Sequence, residues 1–285
     1  MGQQLREDMV WESALMEERG ISREVEREVH GVVRSIGDYV KTVPVDYSGE
    51  GFFHRDERME ITVFGEAVKF EIKFYFFRDY RTYLRYQSHI RYIYQYIRQR
   101  NTVMMTVVVI NRDIITNTFN GKIAHEIRHA LQYIKINKGQ INKPSYYRAV
   151  EVLRGKPLPS NFDKNGKQVA PIDYDVEVAN IIYLSSKYEQ EAYGQEMYNS
   201  IMYSSELPFL AYRHNNAYYA YQRLKESVKV VKEGGGNGLA AALERYGLSQ
   251  ERIVRKGENA MRKFFKRLIR AYSQAENDRI DYNEI

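Results

Sequence analysis

The 285-residue chain contains no cysteine. Disulfides are therefore excluded, and so are zinc sites built on thiolates. Any transition-metal centre must be assembled from imidazoles and carboxylates. Long apolar runs are also missing. The most hydrophobic stretch, VMMTVVVI at 103–110, is far below the ~20 residues that a membrane-spanning helix needs. The first ten residues, MGQQLREDMV, carry no apolar signal segment, and Arg6 stands where a myristoylation signal has Ser or Thr. These absences give the expectation of a soluble, cytoplasmic protein with no membrane partner. Tryptophan occurs once, against 25 tyrosines. Such an excess of phenol rings suits the edges of a core, where one end is apolar and the other polar.

What is present is an ordinary hydrophobic content of 44% and a net charge of +6. The chain is long enough for one large domain or two small ones with a proper core. Its mild positive charge favours acidic partners but falls well short of a nucleic-acid-binding arm. No internal repeat is found.

Periodicity divides the chain into an α+β front and a mainly helical back. Residues 3–42 read as helix, with Glu, Arg and Val recurring at helical spacing. Pro, Gly and Asp punctuate a loop at 44–58. A two-residue period then places Phe70, Ile72, Phe74 and Phe76 on one face of a strand within 59–77, with a hairpin turn at Gly65-Glu66. Residues 78–100 return to three- and four-residue steps and predict a helix. Residues 103–110 predict a buried strand, and RDIITNT (112–118) a short edge strand. After a long loop at 156–175, helices are predicted at 175–185, 187–203, 209–232, 238–246 and 250–276, with a loose acidic tail. The organisation that follows is a helical segment at 1–48, a domain at 49–205 and a helical region at 206–285.

One stretch carries chemistry. GKIAHEIRHALQYI (121–134) places His125 and His129 four residues apart, with Glu126 directly after the first. At ~100° per residue, positions i and i+4 lie one turn apart on the same face, so both imidazoles can reach one cation. Glu126 projects to the side, where it can meet a water rather than the metal. Ile123, Ile127, Ala130, Leu131 and Ile134 cluster on the opposite side and predict the face turned to the core. A third ligand must come from another element. On the helix beginning at SSKYEQEAYGQEMYNSI, Ser186 and Glu189 form a capping box, which accounts for Glu189. Glu191 has no such account. It shares a face with Tyr188, Gln195, Tyr198 and Met202, and a carboxylate there needs a partner. The expected metal ligands are thus His125, His129 and Glu191. Two histidines and one carboxylate leave a fourth position open, as in catalytic zinc sites, and predict one Zn2+ per chain. His30, His54 and His89 have no ligand-like context.

HEIRH followed on a later helix by EQEAYGQ resembles the gluzincin group of zincin metallopeptidases, over roughly residues 55–205. The wording E-x-E-A is similar to that of small zincin-like proteins of phages and mobile elements. The resemblance implies a small mixed sheet with an edge strand packed on the HExxH helix, and a glutamate ligand on a downstream helix. It implies zinc-dependent hydrolysis of protein or peptide substrates, with Glu126 as general base. Tyr198, on the Glu191 face, is the expected donor to the oxyanion, ahead of Tyr188, Tyr193 and His214. The metzincin extension is excluded, since Gln132 and Lys135 replace its Gly and His. Gln195 occupies the position where many gluzincins carry an acid that orients a ligand histidine. The edge strand at 112–118 would hold an extended peptide by main-chain pairing.

Two alternative readings stand beside this one. The first is a non-catalytic structural or binding protein on the same scaffold, associated with a phage virion. The second is a nucleic-acid-associated protein, using Lys263, Lys266, Arg267 and Arg270 of the basic C-terminal helices on phosphates.

Overall fold

The computed structural model describes residues 23–47, 51–63, 65–86, 88, 90, 94–110, 117–137, 146–153, 171–202 and 215–283. The chain is of mixed α+β type. A four-stranded sheet occupies its first part and helices make up its second. Helix α1 (Arg23–Thr42) precedes a hairpin of β1 (Phe52–Val63) and β2 (Glu66–Phe77), which turns at Gly65 with φ +75°. That left-handed backbone strains any residue with a side chain, so glycine belongs there. Strand β4 (Thr102–Ile110) pairs in parallel with β2, and β3 (Tyr94–Ile97) flanks β4 antiparallel, giving the order β1-β2-β4-β3.

Alternation along β2 and β4 builds the inner face. Phe70 pairs with Val103, Ile72 with Met105, Phe74 with Val107 and Phe76 with Val109, and all eight are buried. Each buried phenylalanine removes enough apolar surface from water to stabilise the fold by about 1.5–3 kcal/mol. Two helices cover this face. One is α1, through a valine and isoleucine stripe. The other is α3 (Asn117–Asn137), through Ile123, Ile127, Ala130, Leu131 and Ile134. The core face predicted for the motif helix is the one observed.

The second core is helical. It comprises α4 (Tyr147–Leu153), α5 (Tyr174–Leu184), α6 (Lys187–Met202), α7 (Asn216–Glu233), α8 (Gly236–Arg245) and α9 (Gln250–Asn283). Helix α1 shares the core of the sheet, and α5 and α6 share that of the C-terminal helices. Helix α6 packs on α3 on one side and on α9 on another, so it joins the two cores.

Several expected elements differ. The helix read at 78–100 is confined to α2 (Tyr80–Tyr86), and its far end is β3 followed by a 3-10 turn at Arg98–Arg100. Aromatic and β-branched residues favour a strand when an unpaired partner such as β4 is at hand. The loop read at 44–58 is already strand from Phe52 onward. Of the expected edge strand at 112–118, residues 117 and 118 open α3, and the rest lie outside the described residues. The tail is not loose: α9 continues to Asn283. Among the described residues no helix is long and apolar enough to cross a membrane.

Helix α9 crosses α7 at Gly257, where an added Cβ would lie 2.4 Å from Val228 Cγ2. We expect Gly257→Ala to destabilise the protein by about 1–3 kcal/mol through overpacking. Gly31→Ala, in open space on α1, should instead stabilise it by about 0.5–1 kcal/mol through helix propensity. Urea denaturation of the two variants beside the parent checks the difference in sign.

Candidate metal centre

His125 and His129 leave α3 on the side away from the sheet. They do not face water: α6 covers them, leaving 8% and 9% of their surfaces exposed. The carboxylate that α6 brings to them is Glu189. Its Oε1 lies 3.4 Å from Nε2 of His129 and its Oε2 3.8 Å from Nε2 of His125. One ligand atom from each of the three residues falls within 4.8 Å of the others, and all three side chains are buried. Donors ~2.1 Å from a common tetrahedral ion stand roughly 3.4 Å apart; the His129–Glu189 separation equals that edge, and the His125–Glu189 separation is somewhat longer. Glu189 Oε2 finds no hydrogen-bond donor among the described residues, although it is buried. An orphaned carboxylate oxygen between two imidazoles is the arrangement that a divalent cation would complete. The residues present therefore fit a metal ion.

Glu191, the expected ligand, is turned elsewhere. Its Oε2 lies 3.0 Å from Arg128 Nη2 and its Oε1 3.8 Å from Lys187 Nζ. The reason is helical phase. Residues 189 and 191 differ by ~200° around α6, so only one can face α3 at a given point. Glu189, Tyr193 and Glu196 share the face towards His125, at spacings of four and three residues. The capping argument had made Glu189 look fully explained. In the structure Ser186 Oγ accepts from Tyr188 N at 3.3 Å, while the Glu189 carboxylate points to the histidines.

The outer nitrogen of His129 is also held, Gln132 Oε1 lying 2.9 Å from its Nδ1. Glu196 Oε2 lies 3.2 Å from Nδ1 of His125, close enough for an ion pair but outside hydrogen-bond geometry, so that Nδ1 has no hydrogen-bond partner among the described residues. At His129 the acceptor on Nδ1 keeps a proton there and turns Nε2 towards the shared point. Gln132 is fixed in turn, its Nε2 donating to Tyr188 O at 3.1 Å and Glu191 Oε2 at 3.2 Å. Gln195, expected to steady a histidine, instead donates to Asn199 Oδ1 at 2.8 Å. Glu196 was missed because it lies seven residues after Glu189, and only helix phase counted from Glu189 would have shown it.

Electrostatics tie the group together. Burial opposes ionisation of Glu189, but His129 and His125, with a hydrogen bond from Tyr183, outweigh it and bring its pKa to about 2. Burial likewise disfavours a charged His129. Glu189, Glu126 and the bond to Gln132 reverse that and raise it to about 9. Burial and the surrounding carboxylates, Glu126 among them, push the Tyr183 and Tyr193 phenols well above their ordinary range. The Tyr193 ring packs edge-on against His125, with centroids 4.5 Å apart. Tyr198, the expected oxyanion donor, gives its hydroxyl to Asp278 of α9 at 2.7 Å. Glu126 is half-buried beside the group. His30 lies on α1 and His54 on β1 against Asp56, whereas His89 and His214 lie outside the described residues. No protein-family model, curated protein or solved structure matches the chain.

A proton and a metal compete for Nε2 of His129. Its folded pKa is raised from 6.5 to about 9, so at neutral pH the proton is present and must leave on metal binding. Apparent zinc affinity should therefore climb about tenfold per pH unit between 6.5 and 9 and then flatten, as competition with a chromophoric chelator would show. In the same assay Glu189→Gln should weaken zinc binding by about 100-fold or more, while Glu191→Gln, which removes no donor atom, should stay within about tenfold.

Proposed function

We propose that the chain is a zinc-dependent metallopeptidase of zincin type, with His125, His129 and Glu189 as metal ligands and Glu126 as general base. The observation that supports this most strongly is the buried group of two imidazoles and one carboxylate, with Glu126 half-buried beside it. Three protein ligands leave room for a water, which is the arrangement of catalytic rather than structural zinc. Bound there, zinc would polarise the scissile carbonyl and acidify a water towards neutrality.

The chain's own residues do the rest. Glu126 takes a proton from the attacking water as its oxygen bonds the peptide carbonyl carbon. It delivers that proton to the amide nitrogen as the C–N bond breaks. Tyr183 steadies Glu189 by hydrogen bonding. Tyr193 remains protonated and is the phenol best placed to donate to the developing oxyanion, a role that Tyr198 gives up to Asp278. Gln132 holds His129 in the tautomer that binds metal, and the Glu196 carboxylate lies beside His125 at ion-pair distance.

We expect Glu126→Gln to retain about one zinc per chain while losing at least ~100-fold in cleavage of an unfolded protein substrate, followed by gel electrophoresis and metal analysis. Full cleavage by the variant, or a zinc-loaded parent that cuts no unfolded substrate, would contradict the proposal.

A further inference from the structure

Helix α9 carries a charge pattern that neither core uses. Over residues 252–270 the stretch RIVRKGENAMRKFFKRLIR repeats lysine and arginine at helical spacing and contains a single acid, Glu258. That acid is already spent on Lys232 of α7, 2.9 Å away. At ~100° per residue, every lysine and arginine of the stretch falls within an arc of about 140°. Glu258 falls outside the arc, and no apolar residue falls inside it. Ile253, Ala260, Phe264 and Leu268 lie on the opposite side, in the helical core. At ~1.5 Å per residue the row of cations is about 27 Å long. Arg252, Arg255, Lys256, Arg262 and Lys263 are exposed, and Lys266 and Arg270 are half-buried. None of these side chains forms an ion pair or a hydrogen bond among the described residues. Arg267 is the exception, donating to Lys187 O at 3.3 Å and drawn towards Glu191. Desolvation lowers the Lys256 pKa and the charge of Arg252 lowers it further, with no carboxylate opposing them. Cations lined up in this way repel one another, and an anion lying along them relieves that repulsion.

We propose that this face of α9 binds the phosphate backbone of a double-stranded nucleic acid without reading its sequence. A duplex carries one negative charge per ~1.7 Å of its axis, so it can meet a straight row of cations along the whole length of that row. A site for a free ion or a lone acidic side chain would gather its cations round a point, whereas these are strung along a line. A single strand is held by aromatic platforms on which its bases stack, and the arc has none. A helix that lies in a membrane surface buries its apolar side in lipid, and that side of α9 is committed to the core. Lysine and arginine, with Asn259 alone among them, direct the contacts to phosphates, which position a protein but do not specify a sequence. The metal centre lies between α3 and α6, and this assignment does not require the peptidase reading.

The test is fluorescence anisotropy of labelled DNA and RNA duplexes of about 20 base pairs, titrated with the full chain between ~50 and ~200 mM sodium chloride. The matching single strand and phosphatidylserine vesicles are added as competitors. We expect duplex binding whose logarithm falls against the logarithm of salt with a slope of about −4 to −6, as contact with about five phosphates requires. The double variant Arg262→Gln/Lys263→Gln should bind at least about tenfold more weakly at ~50 mM salt, with a slope shallower by about two. Arg252→Gln/Arg255→Gln, at the other end of the row, should show the same loss. All four side chains are exposed, so their replacement leaves the fold intact. Lys69→Gln, exposed on β2, should leave binding unchanged. Binding of either duplex, or of both, supports the assignment and says which nucleic acid the face accepts. Absence of binding at ~50 mM salt, an affinity that salt does not move, or an equal loss in Lys69→Gln would overturn it. So would tighter binding of the single strand or of the vesicles than of the duplex.

Discussion

One buried carboxylate organises this molecule. Glu189 stands between two imidazoles at the line where α3 meets α6. A carboxylate left uncompensated in such a place would cost several kcal/mol. His129, His125 and Tyr183 compensate it, and in doing so they set the rotation of α6 about its axis and its height along α3. The polar residues flanking the seam follow from that registry. Glu196 can meet His125, and Gln132 can meet both His129 and Glu191, only with the helices in this phase.

The two cores act as the jaws that hold this seam. The sheet and α1 grip α3 by its isoleucines and leucine, while the C-terminal helices grip α6 by Tyr193, Met197, Tyr198 and Ile201. Each candidate ligand is therefore presented from a helix already fixed by apolar packing, as a metal site would require. Gly194 contributes at the crossing with α9. A Cβ there would lie 3.1 Å from Arg267 Cγ, so glycine lets that arginine run across α6 towards Glu191 and Arg128.

Much of this was legible in the sequence, and the failures have physical causes. The period of β2 and the apolar stripe of the motif helix identified the core faces correctly, because burial imposes those periods directly. The histidine pair was legible for the same reason: spacing within one helix is a local property. The third candidate ligand was not local. Glu189 and Glu191 lie two residues apart, and the choice between them rests on the phase of α6 against α3, which only packing decides. Tyr198 was chosen from the wrong face as a consequence, and Tyr183, at the end of the preceding helix, had no local signal at all. The helix expected over 78–100 failed similarly, since the edge of β4 offered a pairing that no window of local sequence can show. The zincin resemblance pointed to a glutamate on the following helix but could not fix its number.

The central claim is that His125, His129 and Glu189 share one metal ion. X-ray absorption at the zinc edge of the zinc-loaded protein tests it most directly. The account predicts scattering from two imidazole rings with nitrogen near ~2.0–2.1 Å, together with oxygen donors at ~2.0–2.2 Å, in a four- or five-coordinate shell. A shell of oxygen alone without imidazole scattering, or a chain that takes up no zinc, would contradict it.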